Sequence, residues 1–279
     1  MEKWTVQDDR PGNLAPVSSF PWIPVMLALA VAGGGLAYYY GTREAAKPLT
    51  PKAEAPVLAE KSAAPPAEPA VRYPVPAGPV GEVHKPLPSL ADSDAMMRES
   101  LSGLMGAKPF ADMVVPSDFI RRIVATVDNL PRPTAPRRAM PLNPVPGTLA
   151  TGRAGEDTVL DPANYARYEP FVRVMESVET QALVYSYLRA YPLFQRAYEE
   201  LGFPGKYFND RLVQAIDNLL AAPDLSGPVR ITRDKVLYTF VDEDLENRSA
   251  GQKAMIRMGP DNARRVKAKL ADIRKAITR

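Results

Sequence analysis

The sequence predicts a mainly α-helical protein: one N-terminal transmembrane helix, a disordered Pro/Ala-rich tether, and a helical globular domain with one small β-hairpin. Three observations carry this. Residues 11–42 hold no charged side chain, residues 42–90 are studded with proline, and apolar residues recur at helical spacing beyond residue 91. The implied divisions are a short tail at 1–19, an anchor at 20–41, a linker at 42–90 and a helical domain at 91–279.

The core of the anchor, Ile23 to Tyr40, has about the length a helix needs to cross roughly 30 Å of hydrocarbon. Trp22 marks one edge and Tyr38, Tyr39 and Tyr40 the other, as amphipathic rings do at headgroup level. A cleaved signal peptide is the competing reading, with Ala30-Val31-Ala32 as its cleavage site. The first ten residues are mixed in charge, however, and the apolar run outlasts a usual signal core, which favours a retained single-pass anchor. Lys3 and Arg10 precede the span, while Arg43, Lys47 and Lys52 follow it, so basic residues leave its orientation nearly balanced. The long tether and the absence of cysteine favour a C-terminal domain outside the cytoplasm. Gly33, Ala37 and Gly41 repeat every four residues, a spacing that lets two membrane helices pack closely as a homodimer. Small residues are common in such helices, so ordinary composition accounts for the pattern equally.

In the tether no apolar spacing suits a helix or strand, and proline removes amide donors while fixing φ. About fifty such residues span on the order of 40 Å as a coil and roughly 150 Å extended. The PxxP patterns at Pro48–Pro51 and Pro76–Pro79 read as linker. His84, the single histidine, falls in the tether as a solvated side chain.

The domain opens at Asp92-Ser93-Asp94, which offers helix-capping oxygens ahead of the stripe Met97, Leu101, Leu104 and Met105, with Gly106 as a stop. A second helix starts at Ser117-Asp118, carries Ile120, Ile123, Val124, Val127 and Leu130, and ends at Pro131. Residues 131–147 are too rich in proline for helix. They read as an extended wrap pinned by Leu142 and Val145, with Arg132, Arg137 and Arg138 as solvated charges. Asp161-Pro162 begins the main helical run, which Pro170 and Pro192 should divide into helices at 162–168, 171–190 and 192–201, closed by Gly202. A helix at 208–221 carries Leu212, Ile216, Leu219 and Leu220. Segments 229–232 and 236–241 form the hairpin. Helices at 242–258 and 260–278 follow, the last with an inner stripe of Val266, Leu270, Ile273 and Ile277.

Composition narrows the chemistry. With one histidine and no cysteine, the domain cannot hold a Ser-His-Asp or Cys-His arrangement, nor a usual zinc site. Neither GxxxxGK[ST] nor GxGxxG occurs, and no cofactor or metal is implied. Glu169, Glu176 and Glu179 stand among Tyr165, Tyr168, Tyr185, Tyr187 and Tyr191. Glu176 and Glu179 are the candidates should the domain act as a cell-wall glycan hydrolase or lyase, which needs a carboxyl of raised pKa beside aromatic surface. The wet face of an amphipathic helix explains them as simply. The last helix carries seven Lys or Arg against two Asp, a face suited to anionic lipid or nucleic acid. No aromatic residue interleaves these charges, which argues against single-stranded nucleic acid.

The stretches VPSDFIRRIVATVDNLPR, DPANYARYEPFVR, YPLFQRAYEELGFPGKYFNDRLVQAIDNLLAAP and GQKAMIRMGPDNARRVKAKLADIR resemble the proteobacterial domain-of-unknown-function family numbered 3014, with similarity across residues 87 to 279. The resemblance implies a single-pass membrane protein with a proline-rich tether, and it carries no catalytic role onto any residue. With the resemblance, the expectation is a non-enzymatic module of the bacterial cell envelope, tethered at the inner membrane with its C-terminal domain in the periplasm, that binds an envelope protein or the cell wall. Tyr165, Arg167, Tyr168, Tyr191, Asn209 and Arg211 are the candidate binding residues, since Tyr and Arg are common interface anchors.

Overall fold

A computed structural model describes residues 71–76, 86–233 and 237–279. The expected anchor with Gly33, Ala37 and Gly41, most of the tether and His84 lie outside the described residues. Among the described residues no helix is long and apolar enough to cross a membrane.

The described chain is mainly helical. In order it forms α1 (Ser93–Met105), α2 (Ala107–Met113), α3 (Phe119–Asn129), a 3-10 turn (Arg137–Ala139), β1 (Thr151–Ala154), β2 (Asp157–Leu160), α4 (Ala163–Ser177), α5 (Thr180–Glu200), α6 (Phe208–Leu220), β3 (Ile231–Thr232), β4 (Thr239–Phe240), α7 (Glu243–Glu246), α8 (Ala250–Arg257) and α9 (Pro260–Ile277). The helix α6 lies at the centre. Phe208, Leu212, Val213, Ala215, Ile216 and Leu219 are all fully buried, so this helix is covered on nearly every side. It packs against α3, α5, α8 and α9, and α9 in turn covers α4 and α5. The predicted stripe of α9, Val266, Leu270, Ile273 and Ile277, is fully buried. Each of these side chains contributes about 1.5–3 kcal/mol of burial.

Several boundaries fall elsewhere than the sequence suggests. Pro170 and Pro192 do not divide the main run, because both sit inside continuous helices, α4 and α5. Proline removes one helical hydrogen bond, but the residues just after each one are core: Phe171 and Val172, then Leu193 and Phe194. Ending either helix at its proline would pull these side chains out of the interior. The break comes at Val178-Glu179 instead, where both residues are extended and the Glu179 carboxylate accepts the Gln181 and Ala182 amides at 2.8 and 2.6 Å.

Capping at the front is also redistributed. Neither Asp92 nor Asp118 caps its own helix through its side chain. Asp94, in the first turn of α1, reaches across and accepts the Asp118 and Phe119 amides at 2.8 and 3.0 Å, capping α3 from a neighbouring element. The expected helix at 242–258 is two helices, because Asp242 caps α7 and Ser249 caps α8.

Segment 131–147 is extended apart from its 3-10 turn, with Leu142 and Val145 buried as expected and Leu142 bridged to Val114. The expected hairpin is present as β3–β4, with residues 234–236 of its connection outside the described residues. A further hairpin, β1–β2, turns at Gly155-Glu156 and is bridged to β3's neighbour through Val159 and Arg230. Leu160, Val229, Ile231, Phe240 and Ile256 give these strands a small apolar cluster of their own.

Candidate functional site

Residues 71–76, Val-Arg-Tyr-Pro-Val-Pro, lie within the stretch read as tether, yet they are docked on the start of α6. Asp210, in the first turn of that helix, accepts two consecutive amides, Arg72 at 3.0 Å and Tyr73 at 2.8 Å. The Tyr207 hydroxyl accepts the Val75 amide at 2.9 Å. The Asn209 amide donates to the Tyr73 carbonyl at 2.9 Å. Tyr73 packs against the main core, and the Arg274 guanidinium lies 6.0 Å from its ring centroid. Arg274 is itself held by the Asp217 carboxylate. Pro74 and Pro76 carry no N–H, and the amides of Arg72, Tyr73 and Val75 all meet acceptors on Tyr207 or Asp210. Recognition is therefore mostly of backbone, which bends at Arg72 and Tyr73, with one aromatic side chain as anchor.

A cleft of about 500 Å³ opens beside this segment, lined by Arg72 and Tyr73 together with Tyr198, Phe203, Lys206 and Arg211. Its wall is rigid. The buried Asp128 carboxylate joins Arg132 of the following loop at 2.5 Å to Arg211 of α6 at 3.0 Å, tying α3 to α6. Beneath lies an aromatic stack in which Tyr191 meets Tyr207 at 5.4 Å, Tyr187 meets Tyr191 edge-on at 5.6 Å, and Phe194 stacks on Phe208 at 5.8 Å. Burial pushes the Tyr187 and Tyr191 phenols well above their ordinary range, and neighbouring tyrosines add to the shift. Both stay neutral and serve as packing and hydrogen-bond groups.

Of the six expected binding residues, three gather here. Tyr191 supports Tyr207 and donates to Gln195 at 2.9 Å, while Arg211 lines the cleft. Asn209 is fully buried beneath the docked segment, accepting from the Tyr187 hydroxyl at 2.9 Å and donating to Tyr73 and Ile277 carbonyls. The other three are placed on α4. Arg167 binds the carbonyls of Pro146 at 2.8 Å and Gly147 at 2.9 Å, fastening the proline-rich wrap. Tyr168 is buried in the core, and its phenol is raised chiefly by that burial. Tyr165 packs its ring on Gly259 and lines an apolar cleft of about 490 Å³ with Leu225, Val229 and Ile256.

The two candidate carboxylates have structural duties. Glu179 caps α5. Glu176 is paired with Arg265 of α9 at 2.7 Å, and this hydrogen bond holds its carboxyl below the usual range. A general acid for glycan cleavage needs the opposite shift. Arg265 also joins Glu169 at 2.8 Å, and this pairing with both carboxylates raises its own pKa. Three further cations of α9 are similarly used, while Lys275 is exposed: Lys267 binds Asp224 and the Ala222 carbonyl, Lys269 binds the Val178 carbonyl, and Arg264 binds Asp261. Among the described residues no group of three or more His, Cys, Asp or Glu is arranged to hold a metal ion.

Tyr73, Tyr207 and Asp210 were not singled out from the sequence. One signal was available for the first: Tyr73 is the only Phe, Trp or Tyr between residues 42 and 90. A lone aromatic residue in a proline-rich stretch marks a point that can dock. No feature distinguishes Asp210 from an ordinary first-turn acid before its partners are seen.

Neither the curated proteins nor the solved structures contain a significant match to the chain. A family model described as "Protein of unknown function (DUF3014)" matches residues 119–274. That range contains Tyr207, Asn209, Asp210 and Arg274, while the docked segment precedes it. The match spans more than half of the chain, which therefore belongs to the DUF3014 family.

Proposed function

We propose that this protein is a non-enzymatic binding module, held by its N-terminal anchor at the bacterial inner membrane and engaging another envelope protein through the groove at the start of α6. The observation that carries this reading is the groove itself. Tyr207, Asn209 and Asp210 satisfy the backbone of a short non-helical polypeptide and provide a seat for one aromatic ring. Such backbone-led capture is a recurring way to recognise peptides. The lowered pKa of Glu176 and the capping role of Glu179 favour binding over glycan hydrolysis. The engagement of most of α9's cations by the domain's own groups favours it over anionic lipid or nucleic acid.

Two measurements test the proposal. A reporter active only outside the cytoplasm, fused after Arg279, should give signal; signal only from a reporter active inside would sink the envelope assignment. A photo-reactive side chain at Lys206 should crosslink one discrete partner in intact cells, and Asp210→Ala should abolish the adduct. An adduct indifferent to Asp210, or wall cleavage by the purified protein that Glu176→Gln eliminates, would overturn the binding reading.

A further inference from the structure

We infer that residues 71–76 are a built-in competitor, a strap that fills the α6 groove until a short segment of another protein, an aromatic residue followed by proline, displaces it. The inference deepens the binding-module reading and rests on it. The chemistry of the displacing segment follows from the strap. Asp210 requires two adjacent amides, at the aromatic residue and the one before it, and Tyr207 requires a third amide two residues after the aromatic. The position between needs no donor, and proline occupies it in the strap. Asn209 requires the carbonyl of the aromatic residue, and the ring rests on core with Arg274 at its face. Outside these contacts the strap is open to solvent: Val71, Arg72 and Pro74 are exposed. Its attachment is therefore a handful of hydrogen bonds and one partly buried ring, an interaction that another chain can replace.

Covalent linkage makes the strap a strong competitor all the same. Nine residues, 77–85, join it to the domain. A short linker gives an effective concentration on the order of millimolar, so a strap with a dissociation constant of about 0.1 mM leaves roughly one groove in ten open. A free segment of the same sequence then binds about tenfold more weakly than to an empty groove. Displacement has a mechanical result as well. Residues 71–85, fifteen in all, join the tether when the strap leaves, adding up to about 50 Å of reach. Partner binding and distance from the anchor are thereby coupled.

The test uses the full chain in detergent micelles and a fluorescent peptide spanning Ala70–Gly78, with binding read by anisotropy. Tyr73→Ser should bind the peptide about tenfold more tightly than wild type does, and Tyr207→Phe added to it should weaken binding several-fold. Val75→Pro, which removes one strap amide and leaves the ring, should open the groove several-fold if Tyr73→Ser harms folding. Equal affinity of wild type and both opened variants would refute the strap while leaving the groove a binding site. No peptide binding to any of them would refute the strap and the groove's peptide chemistry together, leaving the crosslinking at Lys206 to judge the binding module alone. A dimer that Tyr73→Ser dissolves would assign the groove to a second copy's strap and overturn the external partner.

Discussion

Replacing Asn209 with Ala should be among the most damaging single changes in the domain. The side chain is fully buried and makes three hydrogen bonds: it accepts from Tyr187 Oη at 2.9 Å and donates to the carbonyls of Tyr73 at 2.9 Å and Ile277 at 3.1 Å. Truncation leaves the Tyr187 hydroxyl and the Ile277 carbonyl without partners in a dry interior, at about 1–3 kcal/mol each. The Tyr73 carbonyl is nearer the surface, where water can replace the lost donor. The expected loss is therefore about 2–6 kcal/mol, or roughly 5–15 °C in Tm for a domain of this size. Asn209→Asp separates donors from volume. It keeps the acceptor for Tyr187 but turns oxygen toward both carbonyls, so it should be at least as harmful as Ala. Urea unfolding followed by circular dichroism measures the change, and a cycle with Tyr187→Phe should show coupling of about 0.5–3 kcal/mol. An Asn209→Ala chain within about 1 kcal/mol of wild type at unchanged m, or an additive cycle, would refute this reasoning.

Gly259→Ala should cost about 2–5 kcal/mol, because its φ of +88° disfavours any side chain and the new Cβ would stand 2.4 Å from the Tyr165 ring; Tyr165→Ser in the same chain should recover part of the loss, read from thermal melts. Asp94→Ala should cost about 1–2 kcal/mol and speed amide exchange at Asp118 and Phe119, the two N–H groups it accepts. Glu176→Gln should cost under about 1 kcal/mol at neutral pH, since the pair with Arg265 is largely solvent-screened. The Glu176 pKa is lowered on folding, so its contribution is present above the ordinary carboxylate value of 4.5 and lost as pH falls below it. The Gln variant should accordingly show a shallower loss of stability on acidification than wild type.

Periodicity made the long amphipathic elements legible. The helices α3, α6 and α9 stand where apolar spacing puts them, because their stripes are uninterrupted and their ends carry Pro131, Pro223 and Gly259-Pro260. Proline misled at 170 and 192, where local preference favours a break but the burial of neighbouring Phe171 and Phe194 outweighs one lost hydrogen bond. Capping was ambiguous for a different reason. Asp94 stands in a helix start yet serves another helix, and only tertiary geometry selects between the two. The β1–β2 hairpin has little alternation to read, since β1 is mostly exposed. Within the candidate site, Tyr191 and Arg211 stood out by residue type, whereas the strap was hidden by its surroundings: six residues in a proline-rich stretch carry too little pattern to separate docking from solvation.

The position of α9 also sets when the domain can fold. This helix walls α4, α5 and α6 together, and its four buried apolar side chains lie between residues 266 and 277. As the chain leaves the ribosome, the earlier helices emerge with that side open. No stable core closes until residue 277 is free of the exit tunnel. The core is therefore completed by its last helix, and until that segment is free the apolar faces of the earlier helices stay uncovered and prone to association.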